Sequence, residues 1–462
     1  LTALAANLTA NEPPDSLSRN GVLDVAVTQP QADFLSSQAD NLLFCAGVGA
    51  GKTRAGSMWA AREALTDDGV GFVGANTYKQ LVRVTLKAFL GTLDDWRIPY
   101  IFGRRPPATW GRSAFEKHDM ICSLRACGKL RQVVCSQLGS YDYLRGIEIR
   151  WFWIDETRDT PRDAFDVLLG RKRGGPREAR RPCAVTTTPD GFNWLYDAFV
   201  SHGDKALKNR HVIYASSRSN PWLPPGYVEG LLSSYSPRLA QQEIEGKFVS
   251  LTSGMAFAEF SRADHVRADI AYNSDLDLIH TLDFNVNPLC SVILQEQPNG
   301  EVWAIDEIHV TGSARTWDAT DAFLDRYKGH RGNVRVYGDA SGRSGKTSAR
   351  QTDYDIIEDA YRPVFCDRLS MLPTTSNPSM YESVQDVNCL LRSADGRMRL
   401  YFSPKCEYTI RDMEQVTFVP GTRQLDKSDP ELTHHSDALR YYISDKFPAR
   451  RVQAGGTTPE GW

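Results

Sequence analysis

The sequence holds no Cys-x-x-Cys pair: its nine cysteines, at positions 45, 122, 127, 135, 183, 290, 366, 389 and 406, are scattered, and so are its nine histidines. Such spacing argues against a zinc ribbon or a disulfide framework and for reduced, buried thiols. A membrane span is missing as well, since no apolar run approaches the ~18 residues it takes. The stretch that starts at Leu1 lacks the basic-then-apolar pattern of a signal peptide, so a soluble, intracellular protein is expected. Charge of one sign is also absent, with 54 basic residues against 57 acidic ones. Any nucleic-acid contact must therefore come from local strips such as "GRKRGGPREARR" at 170–181, not from bulk attraction. There is no internal repeat.

What is present is ordinary globular material, 41% hydrophobic and 24% charged over 462 residues, too long for one core and enough for two or three domains. Residues 1–27 are polar, with prolines at 13 and 14, and read as a loose arm. From 28 to 250 the short apolar runs "NLLFCAG", "GVGFVGAN", "QVVCSQL", "IRWFWIDE" and "PCAVTTTP" alternate with amphipathic stretches, the order of an α/β domain with a parallel sheet flanked by helices. "LTSGMAFAEF" at 251–260 is the expected connector. A second domain is expected over 261–447, with strands in "DLIHTLDFN", "CSVILQEQ", "NGEVWAIDEIHV" and "NVRVYGDASG" and a hairpin around "PNG". Helices are expected in "MYESVQDVNCLLRSA" and "THHSDALRYYISDKF", and a flexible tail over 448–462.

"NLLFCAGVGAGKTRAGSMWAAREAL" places a strand, a Gly-rich turn and a helix in immediate succession. That is the context of a P-loop, in which the turn and the helix N-terminus aim their N–H groups at the same phosphates. Gly47, Gly49 and Gly51 loosen the turn, with Ala46 standing where the strict pattern has Gly. Lys52 is placed to reach the β and γ phosphates of ATP, and Thr53 to ligate Mg²⁺. "RWFWIDE" supplies a later strand ending in two acids: Asp155 to hold the Mg²⁺ through water, Glu156 to deprotonate the attacking water. Gln31, before the first strand, has an amide suited to the edge of adenine. "TTTP" at 186–189 offers hydroxyls that would sense the γ phosphate. Arg171 and Arg173 read either as an arginine finger for a neighbouring subunit or as a solvated or DNA-contacting basic loop.

A second Gly-Lys-Thr occurs in "DASGRSGKTS" at 339–348. It follows a strand, but the residues after it are polar and no buried helix is expected to start at Lys346. Its informative residue is Asp339, at the strand's end. Asp283 in "IHTLDFN" and Asp437 in "HHSDALRYY" accompany it: two strand-borne acids and one helix-borne acid, in the order that suits a ribonuclease H-like sheet. Such a set binds two divalent ions for phosphodiester cleavage, and oxygen-only ligation favours Mg²⁺ or Mn²⁺. Glu307 reads either as a further acid near the cluster or as a solvated strand end. Arg343 and Lys346 read as phosphate contacts or as parts of a solvated loop.

In "TQPQADFL", "AGVGAGKT", "WFWIDET", "TTTPDGFNWLYDAF", "LDFNVNP", "YGDASG" and "THHSDALRYY" the chain resembles the large terminase subunit of tailed bacteriophages. The resemblance implies an N-terminal P-loop (RecA/ASCE-like) ATPase domain and a C-terminal ribonuclease H-like nuclease domain. It implies that Lys52, Thr53, Asp155 and Glu156 form the ATPase site, that Gln31 reads adenine, and that Asp283, Asp339 and Asp437 form the nuclease triad. Many relatives carry a basic residue where this chain has Val48. Further implications are double-stranded DNA, a portal protein and a small terminase subunit as partners, a homo-oligomeric ring on the procapsid, no membrane, and residence in the host cytoplasm but not in the mature virion. The rival readings are an ATP-driven helicase-nuclease, which needs a second RecA-like domain, and a non-catalytic packaging scaffold with degenerate sites.

Overall fold

The structure, a computed structural model, describes residues 25–449 apart from 177, 202, 204, 252–253, 285–287, 313–314 and 344–350, together with residues 8 and 9. Lys346 and most of the expected arm and tail thus lie outside the described residues. The chain packs as two compact units, one of the described residues up to Val228 with Gln241–Val249, the other of Glu229–Ala240 with the described residues from Ser250 on. Glu229–Ala240 falls within the first domain as read from the sequence, yet it packs with the second unit. Tyr235 is buried, its carbonyl accepts from Ala394 N at 2.6 Å, and Ser236 N donates to Cys389 Sγ.

The first unit is built on eight strands: β1 (Asn41–Ala46), β2 (Gly71–Ala75), β3 (Tyr100–Phe102), β4 (Ile121–Ala126), β5 (Lys129–Gln137), β6 (Trp151–Asp155), β7 (Cys183–Thr187) and β8 (Arg210–Ala215). Their order in the sheet is β8-β1-β7-β6-β2-β5-β4-β3, parallel from β8 to β5 and antiparallel at the β5–β4–β3 edge. The central strands are buried along their whole length, which is why they read as unbroken apolar runs. The edge strands carry weaker signals. β8 alternates in burial, and β4 and β5 are joined at Cys127 and Gly128, both at positive φ, the two-residue turn that suits the twist of a hairpin.

Helix α1 (Gln29–Ser36) starts at a capping box between Thr28 and Gln31. Helix α2 (Lys52–Thr66) follows β1 directly and lies on the sheet, where Trp59 meets Trp151 edge to face with centroids 6.0 Å apart. One turn earlier, Gly56 lets the helix come so close that an added Cβ would collide with the indole of Trp153.

The second unit holds β9 (Leu278–Asp283), β10 (Leu289–Glu296), β11 (Val302–Val310), β12 (Val334–Gly338), β13 (Leu369–Met371) and β14 (Leu400–Phe402), in the order β13-β12-β9-β10-β11-β14. β9, β10 and β11 form an antiparallel meander, and β12 and β13 continue from β9 in parallel. This is the ribonuclease H-like arrangement, with β14 added beside β11. Both faces of the sheet are covered. Ile279, Val292 and Leu294 pack under helices that bring Val384, Leu439 and Tyr442, while Leu278, Leu282 and Ile293 pack against Phe323, Ile357 and Tyr361. The last helix, α3 (His434–Lys446), covers the first of these faces, where Thr281 Oγ1 donates to Ala438 O at 2.6 Å.

Gly56→Ala should therefore destabilise the first unit by about 1–3 kcal/mol, the cost of overpacking a dense interface. Urea unfolding followed by tryptophan fluorescence reads this, and an unchanged midpoint would show that the contact with Trp153 has slack.

Candidate functional site

The loop between β1 and α2 is shaped by glycines in two ways. Gly49 and Gly51 take left-handed φ values of 76° and 81°, and Gly47 passes so close to Ile244 O that a Cβ would overlap it. The loop is then braced from outside. Gly47 N donates to Ala215 O and Val48 N to Glu243 O, Ser217 Oγ donates to Val48 O at 2.6 Å, and Asn220 Nδ2 donates to Gly49 O at 2.6 Å. Gln31 belongs to this brace. Its carbonyl accepts from Thr28 N at 2.9 Å and its amide donates to Gly51 O at 3.0 Å. A base-reading role would have to use the one N–H and the lone pair that remain.

Four of the expected residues converge beside this loop. Lys52 Nζ lies 3.0 Å from Glu156 Oε1, with both side chains nearly buried. Thr53 Oγ1 lies 3.2 and 3.1 Å from the two oxygens of Asp155. β7 separates β1 from β6, and through Thr186 it joins the cluster, donating to Asp155 Oδ1 at 2.7 Å. Thr85 completes the set from the far side, donating to Asp155 Oδ2 at 3.1 Å. Asp155 is fully buried. Burial pushes its carboxyl up, the neighbouring Glu156 adds to this, and the threonines and Lys52 only partly offset it, leaving it at about 6. Glu156 itself stands at φ 48°, ψ 51°, a left-handed conformation that costs a non-glycine residue about 1–3 kcal/mol and aims its carboxylate back at Lys52.

The threonines after β7 thus have occupations the sequence does not announce. Thr186 holds Asp155, and Thr187 Oγ1 accepts from Arg158 N at 3.0 Å. Arg158 in turn pairs with Glu243 at 3.2 Å. Arg171 and Arg173 lie away from these bonds: Arg171 donates to Arg145 O at 2.6 Å, and Arg173 forms an exposed pair with Glu148 at 3.5 Å. Val48 is buried. Sequence reasoning missed Thr85, Ser217, Asn220 and Arg158, whose partners lie on distant segments.

In the second unit the pairing of β9 with β12 sets Leu282 against Gly338, and Asp339 N reaches Leu282 O at 3.3 Å. Asp283 and Asp339 are therefore neighbours at the carboxyl ends of adjacent parallel strands. Asp437, on the first turn of α3, faces the same end. Asp283 is buried, and burial raises its carboxyl above the usual range even though His434 Nδ1, 3.1 Å away, pulls it down. Burial also raises Asp437, but Arg440 and Lys427 outweigh it and leave the carboxyl below its ordinary value. Lys427 Nζ sits 2.9 Å from one of its oxygens and Arg440 pairs with the other. Asp339 Oδ1 accepts from Ser341 N at 2.6 Å and Asn377 Nδ2 at 2.9 Å. The reading of Glu307 as a further acid of this cluster is corrected. Its carboxylate accepts from Tyr408 N, Thr409 N and Thr409 Oγ1 at 2.7–2.9 Å and so caps the helix Glu407–Gln415. His434 was missed although it sits three residues before Asp437 in "THHSDALRYY"; Lys427 and Asn377 reach the acids from loops and left no local signal.

A Gly-rich loop between a buried strand and a helix, with an Asp-Glu pair at the end of a second strand, defines a P-loop ATPase unit, here carried in one chain with a ribonuclease H-like unit. Residues 43–263 match the family model described as terminase large subunit, T4likevirus-type, N-terminal. No curated protein sequence matches the chain. Among solved structures, the large terminase from a thermophilic bacteriophage is similar over 91% of this chain and 99% of its own, at 16% identity and a TM-score of 0.57. The same phage protein in complex with ADP is similar over 90% of this chain and 98% of its own, at 16% identity and a TM-score of 0.55. In complex with ATP-γ-S it is similar over 90% and 98%, at 16% identity and a TM-score of 0.54. Residues 43–263 are thus similar to the N-terminal part of terminase large subunits, and the chain shares the fold of a phage large terminase over most of its length.

Because the folded-state pKa of Asp155 is raised, its ionised form works against folding. The stability associated with it is fully present below the unfolded value and is lost as pH rises through about 6. Asp155→Asn should therefore raise the unfolding midpoint of the first unit by a few degrees at pH 7–8, and the gain should shrink toward zero as pH falls to about 4. Differential scanning calorimetry across that range tests the sign; a lower midpoint at pH 8 would mean that the threonine bonds outweigh the buried charge.

Proposed function

We propose that this chain is the motor subunit that moves double-stranded DNA into a phage procapsid, with ATP hydrolysis in the first unit and metal-dependent DNA cleavage in the second. The observation that carries this reading is the convergence of Lys52, Thr53, Asp155 and Glu156 at one end of a parallel sheet. The ligand fits the donors. The start of α2 suits phosphate, and the hydroxyl and carboxylate oxygens of Thr53 and Asp155 suit Mg²⁺. The large terminase of the thermophilic phage, which shares the fold, has been seen with ADP and with ATP-γ-S. When bound, Mg²⁺ supplies neutralisation of charge on the phosphates.

The chain's own residues then divide the work. Lys52 is paired with Glu156 at 3.0 Å, and phosphate is the competing anion that would draw the ammonium away. Released from Lys52, the Glu156 carboxylate is free to accept a proton from water. Thr53 and Asp155 hold the cation, with Thr186 and Thr85 fixing the carboxylate. Gln31 steadies the loop through Gly51 and turns its remaining N–H toward the base.

In the second unit Asp283, Asp339 and Asp437 offer oxygen donors that suit two Mg²⁺ or Mn²⁺ ions. Such a pair supplies activation of water and stabilisation of the leaving oxygen. Lys427 and Arg440 compensate Asp437, and Lys427, the more exposed of the two, is the partner that would give way where Asp437 held a cation. Partners follow from the same reading: duplex DNA gripped by its phosphates in a salt-sensitive way, a portal protein, a small terminase subunit, and further copies of the chain in a ring on the procapsid, in the host cytoplasm. The helicase-nuclease rival fares worse, because the second unit opens with an antiparallel meander and not with a second RecA-like parallel sheet.

Glu156→Ala should abolish DNA-stimulated ATP hydrolysis while ATP binding persists; retained turnover would remove Glu156 as the base. Asp283→Ala should leave ATP hydrolysis intact and eliminate Mn²⁺-dependent cleavage of plasmid DNA, and persistent cutting would place the nuclease elsewhere.

A further inference from the structure

We propose that Cys290, His309 and His435 form a binding site for one Zn²⁺ ion, next to the aspartates but different from them in donor chemistry. The three ligand atoms lie within 4.8 Å of one another, with Cys290 and His435 buried and His309 partly so. Cys290 Sγ is 3.5 Å from His309 Nδ1, and the same Nδ1 is 3.0 Å from His435 Nε2. Around a tetrahedral zinc with Zn–S near ~2.3 Å and Zn–N near ~2.0–2.1 Å, sulfur and nitrogen stand ~3.6 Å apart and two nitrogens ~3.3 Å. The two spacings made by His309 Nδ1, 3.5 and 3.0 Å, lie within a few tenths of an ångström of these values, and the third stays inside 4.8 Å.

The residues are far apart in sequence, so no Cys/His spacing announces them. The sheet assembles them instead. Asp283 on β9 pairs with Cys290 on β10, and Cys290 pairs with His309 on β11, so the three side chains form a row on one face. His435 comes down onto that row from the first turn of α3. The rings are pre-set by packing: His309 stacks on Tyr408 at 3.9 Å between centroids and 4° between planes. The outward nitrogens face carboxylates, His309 Nε2 with Glu431 Oε2 at 3.9 Å and His435 Nδ1 with Glu307 Oε2 at 3.5 Å. Both separations exceed a hydrogen bond and His435 Nδ1 has no hydrogen-bond partner among the described residues, so the carboxylates stand near the imidazoles without yet orienting them as partners of metal-bound histidines do.

A thiolate and two imidazoles select Zn²⁺ over the hard cations that suit the aspartates. Binding replaces the Cys290 S–H bond with S–Zn, and the proton leaves to solvent. Three protein ligands leave a fourth position for water. The ion staples the start of α3, which carries Asp437, to the two strands beside the one that carries Asp283. It is a positioning device for the nuclease end of the unit and not a part of its chemistry.

The test titrates the full chain, freed of metal by chelation, with Zn²⁺ and with Co²⁺. One tightly held ion per chain is expected ahead of any weaker binding to the aspartates, the Co²⁺ form showing thiolate-to-cobalt charge-transfer absorption. X-ray absorption of the unmodified protein with Zn²⁺ should give one sulfur and two imidazole nitrogens around the metal. Cys290→Ser and His309→Gln should each abolish the charge-transfer band or weaken binding more than ~10-fold, whereas Asp339→Asn should leave both unchanged. The proposal is overturned if no Zn²⁺ binds, if the shell around zinc in the unmodified protein lacks sulfur, or if binding survives Cys290→Ser and is lost in Asp339→Asn. The X-ray absorption result does not depend on any variant folding.

Discussion

Asp155 has no exposed surface, and a carboxylate in that position is tolerated only where donors meet it from several sides. Thr53, Thr85 and Thr186 do so from three separate segments, and that single requirement fixes much of the first unit. It sets the start of α2 beside the end of β6. It explains why β7, inserted between the strands of the two motifs, carries a threonine where a purely apolar strand would pack as well. It also leaves Glu156 at a backbone conformation that few residues adopt, so the carboxylate that faces Lys52 is held by the chain and not by its own rotamer freedom. The same burial that costs stability keeps the carboxylate's oxygens aimed.

The central strands and the loop after β1 were legible because each is a local matter: an apolar run, a run of glycines, an acid pair at a strand's end. The three aspartates of the second unit stood out for the same reason, each sitting at the boundary of a strand or helix. Strands β3, β8, β13 and β14 left weaker marks, since three-residue strands and half-exposed edges carry little periodicity. The residues that hold the sites in place were hidden most completely. Thr85, Asn220, Lys427 and Asn377 act across loops, and nothing near them in the chain shows whom they meet. Gln31 and Thr186 were singled out for contact with nucleotide, yet their bonds are to Gly51 and Asp155: a polar side chain beside a site serves the protein before it serves a ligand. Scattered cysteines and histidines argued against a metal from sequence spacing alone, and that argument does not reach Cys290, His309 and His435, which strand register gathers.

The two ends of the β9–β10–β11 row differ in chemistry within two strand spacings. Asp283 offers a hard oxygen with a histidine beside it, while Cys290 and His309 offer soft donors. Helix α3 addresses both, with His434 on Asp283, His435 on His309, and Asp437 one rung on. One turn of helix therefore touches both the acids and the soft donors.

The interleaving of Glu229–Ala240 with the second unit means that the chain passes between the units three times before residue 251. A truncation near residue 250, the natural place to cut for an isolated ATPase, would carry away a segment whose Leu231, Tyr235, Leu239 and Ala240 are buried in the intact protein. Such a fragment would present a fresh apolar strip to solvent, and the remainder would lose part of its packing. No single break in the backbone separates the two units cleanly, so domain swaps between relatives need three junctions, one on each side of residues 229–240 and one near residue 250.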